Sequence, residues 1–130
     1  MKLSILSGSF NRFSIDKQFE MVKNIGFDGI ELSGTRPHAY AFDMDQRRID
    51  HILELKEKYQ LEIPMYGPEL LQYQYNISTP YEAERTDTIK YLLASIDAAK
   101  ASAPRGCRSH AATPGMRSPA RKACATSSRC

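Results

Sequence analysis

Apolar positions along the chain alternate between two periods. Leu3, Ile5 and Leu6 form a short run that reads as a first buried strand, and Ser7 to Arg12 follows as a loop. From Ile15 the apolar residues fall at helical spacing, Ile15, Phe19, Val22 and Ile25, with Ser14 in position to cap the helix and Gly26 to end it. Gly29 to Leu32 reads as strand two. A second helix starts at Asp43 or Asp45 and gathers Ile49, Ile52, Leu53 and Leu55 on one face. Strand three is expected over Leu61 to Tyr66. Thr79-Pro80-Tyr81-Glu82 reads as a capping box for a third helix running to about Ala101, with Ile89, Leu92, Leu93 and Ile96 as its stripe.

Strand, helix, strand, helix, strand, helix implies parallel strands with right-handed crossovers. The long polar loops all follow strands: Ser7 to Arg12, Ser33 to Asp43 and Gly67 to Ser78. That is the side on which α/β sheets and barrels place their sites. No Gly-x-Gly-x-x-Gly cradle or Walker sequence is present, which disfavours a nucleotide-binding open sheet. A barrel of eight units needs roughly 250 residues, so three βα units make an incomplete one. Such a unit is expected to leave open strand edges and an uncovered apolar inner face, and hence to aggregate or partly unfold when alone.

Charge divides the chain in two. Residues 1–101 carry 12 Lys and Arg against 15 Asp and Glu, a net of −3, whereas residues 102–130 carry 6 Lys and Arg and no acid, a net of +6. The second part has Met116 as its one large apolar residue, so it is expected to be a disordered basic tail. The abrupt change at Ser102 is what an out-of-frame reading would give. Anion or nucleic-acid binding by this tail is the less favoured reading. Cys107, Cys124 and Cys130 all lie in it at spacings that match no zinc pattern, and their absence from residues 1–101 fits a reducing, cytoplasmic setting. Neither a signal peptide nor an apolar run of transmembrane length is read in the chain.

Three stretches, Ile25 to Leu32 (IGFDGIEL), Gly34 to Asp43 (GTRPHAYAFD) and Met65 to Asn76 (MYGPELLQYQYN), resemble sugar isomerases and epimerases with the xylose-isomerase-like barrel. The first is widespread in that superfamily. The other two look most like the fructoselysine 3-epimerase group. The resemblance covers residues 1 to about 101 and implies the N-terminal three βα units of a (β/α)8 TIM barrel. It also implies a reaction, epimerisation at C3 of a ketose or a ketosamine such as fructoselysine through an enediolate. In such families two glutamates act as acid and base and bind a divalent ion, Mn²⁺ or Mg²⁺, with an Asp and a His. Those four residues lie on later strands and have no counterpart here, so no catalytic or metal-binding residue is assigned and the chain is expected to be inactive alone.

Substrate-side residues are sought in the loops. Arg36 suits a carboxylate or phosphate and His38 a hydroxyl or carbonyl, with Pro37 fixing how they diverge; the alternative for each is a loop-shaping contact. Tyr66, Glu69, Tyr75 and Asn76, with Tyr73, offer aromatic faces for a sugar ring and polar tips for its hydroxyls. Tyr66 and Glu69 are expected to face the site. Glu31 either reaches the site or pairs with a neighbour, and His51 is read as surface. Ser33 and Phe10 depart from the related epimerases. Two other function classes remain. A non-catalytic barrel fragment is one; a nuclease of the endonuclease IV type is the other, disfavoured because Pro64-Met65-Tyr66-Gly67 lacks the histidine that ends its third strand.

Overall fold

Three parallel strands, β1 (Ser4–Leu6), β2 (Gly29–Gly34) and β3 (Tyr66–Pro68), pair in that order in a computed structural model that describes residues 1–102. Ser4 lies opposite Gly29, Leu6 opposite Glu31, Leu32 opposite Tyr66 and Gly34 opposite Pro68. Between them run α1 (Ile15–Ile25) and α2 (Gln46–Tyr59), and α3 (Glu82–Ala101) follows β3. The strands are parallel and alternate with helices, as the pattern implies, and this architecture is consistent with the incomplete (β/α)8 barrel that the resemblance implies. The basic tail lies, apart from Ser102, outside the described residues.

Side-chain alternation along the strands sets the layers. Ile30, Leu32 and Tyr66 turn to one side and pack with Phe19 and Val22 of α1 and Ile52 and Leu55 of α2. The first of these helices begins and ends as the sequence specifies. The Ser14 hydroxyl accepts the Lys17 N–H at 3.3 Å, and Gly26 closes α1 at φ +95°. Of the two aspartates proposed to open the second helix, Asp45 is the cap, accepting the Arg48 N–H at 2.8 Å.

Several details differ from the expected pattern. Strand three pairs later than Leu61 to Tyr66. Ile30 N–H donates to the Glu62 carbonyl and Leu32 N–H to that of Met65, yet Gly29 pairs with Glu62 and Leu32 with Tyr66. Three steps along β2 thus match four along its partner. The extra residue is a bulge over residues 63–65, where Pro64 has no N–H to give the ladder. Strand two, conversely, continues past Leu32 to Gly34 because Ser33 and Gly34 find partners in Gly67 and Pro68.

In the first strand only Ile5 packs against the core; Leu3 and Leu6 are about half exposed. Leu6 lies on the opposite side from Ile5, and that side is less apolar than expected. Ser4 donates to Glu31 at 2.6 Å and Lys2 pairs with Glu62 at 2.5 Å. Ile25, at the last turn of α1, is likewise exposed.

The third helix begins at Glu82, not at Pro80. The Thr79 hydroxyl is taken up two residues on, by the Tyr81 N–H at 3.3 Å, and donates to the Glu84 carboxylate at 2.7 Å. Its buried face is also different. Thr88, Tyr91, Ser95, Ala98 and Ala99 are buried, whereas Ile89 is 45% and Leu93 58% exposed. Thr88 and Ser95 hydroxyls donate to the carbonyls of Glu84 and Tyr91, so these small side chains bury no unsatisfied donor. The large residue carried inward is Tyr91.

Candidate functional site: the loop rim after the strands

All three strands point the same way, so the loops after them share one edge of the sheet. Hydrogen bonds join these loops. The Ser33 N–H donates to the Ser7 hydroxyl at 2.9 Å, and the Thr35 hydroxyl to Asn11 Oδ1 at 3.3 Å. The second and third loops meet twice, where the Arg36 N–H donates to the Tyr73 hydroxyl at 2.8 Å and where the Tyr40 and Tyr75 hydroxyls lie 2.6 Å apart. From below, Tyr91 donates to the Gly34 carbonyl at 3.2 Å and accepts the Glu69 N–H at 3.1 Å.

Around these bonds the rings pack as a cluster. Tyr75 stacks on Tyr91 with centroids 4.1 Å apart and planes 10° from parallel. Tyr40 lies 5.4 Å from Tyr91 and 4.6 Å from Tyr73. Burial, followed by the bond to Tyr75, pushes the Tyr40 phenol up to about 12. Tyr91 is likewise pushed up to about 12, chiefly by burial.

Arg36 sits on this cluster. Its guanidinium carbon is 4.2 Å from the Tyr40 ring centroid, and its Nε and Nη2 fork onto Asp43 at 2.6 and 3.0 Å. The hydrogen bond to Asp43 raises the Arg36 pKa, and the same bond holds the Asp43 carboxyl below its usual range. His38 goes the other way around Pro37. It lines a groove with Ile15, Asp45, Arg48, His51 and Ile52, and its Nε2 is buried with no hydrogen-bond partner among the described residues. At the edge of that groove His51 pairs with Asp16 at 3.2 Å, a contact between α1 and α2.

Tyr66, Glu69 and Asn76 each make hydrogen bonds that fix the loops. Tyr66 is 2% exposed, beneath the rim and not on it, and its hydroxyl donates to the Ala39 carbonyl at 2.6 Å. Burial pushes its ionisation upward. The Glu69 carboxylate accepts the N–H groups of Leu71 and Gln72, folding its own turn. Asn76 accepts the Ser78 N–H through its side chain and donates its own N–H to Thr88. Of the six, the structure joins Arg36 and Tyr75, both through Tyr40. Asp43, which the sequence offers only as a possible start of the second helix, and Tyr91, which it does not mark, complete that constellation. The signal for Tyr91 was its place in the Thr88, Tyr91, Ser95 series, a helical stripe of polar and small residues that competes with the aliphatic one.

Among the described residues no three or more His, Cys, Asp or Glu side chains are grouped to hold a metal ion. The described residues therefore offer no set that fits the divalent ion implied by the resemblance. No described helix is long and apolar enough to cross a membrane.

The model of the xylose isomerase-like TIM barrel family matches residues 19–126. That span continues beyond the boundary at residue 101 set by charge and composition. Fructoselysine 3-epimerase from Shigella flexneri is 35% identical over 100 residues, which cover 77% of this chain and 36% of that protein. Fructoselysine 3-epimerase from Escherichia coli O157:H7 is 34% identical with the same coverage. The chain thus spans about a third of the length of these curated relatives. A family match across most of a chain that folds as successive parallel βα units means that this protein belongs to the xylose isomerase-like TIM barrel family.

Proposed function

We propose that this chain supplies the substrate-side loops of a sugar 3-epimerase that acts on a ketose or a ketosamine such as fructoselysine. The reaction is removal of a proton next to a carbonyl to give an enediolate, followed by return of a proton to the other face. The observation that carries this reading is the 35% identity over 100 residues to a fructoselysine 3-epimerase. The gathering of the three strand-following loops into one bonded rim supports it.

Arg36, His38, Tyr75 and Asn76 are the residues proposed to meet substrate, with Tyr66 and Glu69 shaping the loops that carry them. The described residues bring neither a paired acid and base nor a metal cluster to the rim, so the chain alone is expected to be inactive. A small sugar or sugar-amine is the proposed partner. Cytoplasmic placement is supported by the lack of cysteine in residues 1–101.

The test is a chimera in which residues 1–101 replace the matching segment of the Escherichia coli O157:H7 relative, with epimerisation of fructoselysine followed by NMR. C3 epimerisation by the chimera is the expected result, and Arg36→Ala in it should raise KM. A folded chimera with no activity towards fructoselysine or simple ketoses would overturn the reading.

A further inference from the structure

Arg36 is the one arginine of the described residues shown stacked on a tyrosine, and its fork is already filled. The backbone that bears it is fixed independently, because the Arg36 N–H is held by Tyr73. Asp43, the residue in the fork, comes from the short 3-10 turn Ala41–Asp43 at the end of the same loop. Both side chains remain open to water, 56% exposed for Arg36 and 31% for Asp43, and Arg36 Nη1 makes no hydrogen bond among the described residues. A planar guanidinium held in place, with its two-point acceptor supplied by a solvent-facing side chain, is a carboxylate receptor that contains its own carboxylate.

We propose that Asp43 is an internal competitor for the Arg36 fork, so that the loop rim takes a carboxylate-bearing ligand only by exchange with Asp43. This rests on the reading of the rim as the substrate side and adds the group that the rim selects. An exposed ion pair is weak enough to be exchanged by a ligand that gains other contacts, for example with the tyrosine rings. A free small carboxylate gains none and should not displace Asp43. The aspartate thereby discriminates against simple acids and in favour of larger conjugates that carry a carboxylate.

The test uses the chain itself, labelled with ¹⁵N, and follows the Arg36 Nε resonance while acetate replaces chloride at constant ionic strength. Asp43→Asn and Asp43→Ala each free the fork, and the dispersion of the amide spectrum reports whether each variant is folded. Apparent acetate affinity should rise by about twofold to fivefold in a folded variant over the unsubstituted chain, the scale of an exposed pair. The gain should vanish when Arg36→Ala is added. Equal responses in variant and unsubstituted chain, or equal responses to acetate and chloride, would overturn the proposal. A parallel titration with inorganic phosphate separates the chemistries, and a response to phosphate with none to acetate would also overturn it. Failure of the chimera to epimerise sugars would leave these titrations unchanged, so the two readings fail separately.

Discussion

The hydroxyls of Tyr40 and Tyr75 lie 2.6 Å apart and join the loop after β2 to the loop after β3. Tyr40 is 5% exposed, so its hydroxyl has little water to turn to if the bond is lost. Tyr75→Phe is expected to reduce stability by about 1 kcal/mol. Tyr40→Phe should cost a similar amount. Because each substitution removes the same bond, the double variant should cost clearly less than the two single losses together. Urea unfolding of the four chains checks this. Strict additivity would mean that the bond contributes nothing.

Alkaline pH should weaken the rim. Tyr40 and Tyr91 are both pushed up to about 12, chiefly by burial, and Tyr66 is pushed up for the same reason. In the unfolded chain these phenols lose their protons near about pH 10. Their contribution is therefore fully present below about pH 10 and is lost as pH rises from there towards about 12. Urea unfolding between about pH 8 and about pH 11.5 should show the midpoint falling above pH 10. In Tyr66→Phe the fall should be shallower, since one of the three phenols is gone.

Local signals were legible where one residue and its neighbours decide the outcome. The Ser14 cap and the Gly26 termination depend on bonds within a few residues and stand where the sequence places them, and the Asp45 cap is one of the two aspartates between which the sequence left the start of α2 open. The late pairing of β3 depends on which carbonyls β2 can reach across the sheet, so Pro64 could mark a break in the run without showing that pairing resumes at Tyr66. Arg36 was legible as a residue suited to carboxylates, but the carboxylate that fills it lies seven positions on in the same loop. Such a contact depends on loop shape more than on periodicity. Tyr91 was obscured because its helix carries two stripes, and the aliphatic one is the more conspicuous.

The two stripes of α3 can be told apart experimentally. Ile89 and Leu93 are exposed, so Ile89→Gln and Leu93→Gln should each change stability by less than about 0.5 kcal/mol. Tyr91 is fully buried, stacks on Tyr75 and bonds both Gly34 and Glu69, so Tyr91→Ala should cost about 3 kcal/mol or more. Circular dichroism in a urea series ranks the three. The reverse order would show that α3 packs through Ile89 and Leu93.

Gly34 ends β2 at the point where sheet becomes rim. A Cβ there would stand 2.9 Å from the Tyr66 hydroxyl, 3.0 Å from the Gly67 carbonyl oxygen and 3.1 Å from Pro68 Cα. Two of the three obstacles are backbone of the paired strand, so a side chain at Gly34 must push β2 and β3 apart. Gly34→Ala is expected to cost about 1–3 kcal/mol through overpacking. Adding Tyr66→Phe removes the hydroxyl, and with it one of the three contacts. It cannot relieve the other two, and it also gives up the bond to Ala39. The double variant should therefore be less stable than Gly34→Ala or no better, as read by urea midpoint. A double variant clearly more stable than Gly34→Ala would show that the tyrosine hydroxyl alone demands glycine at this junction.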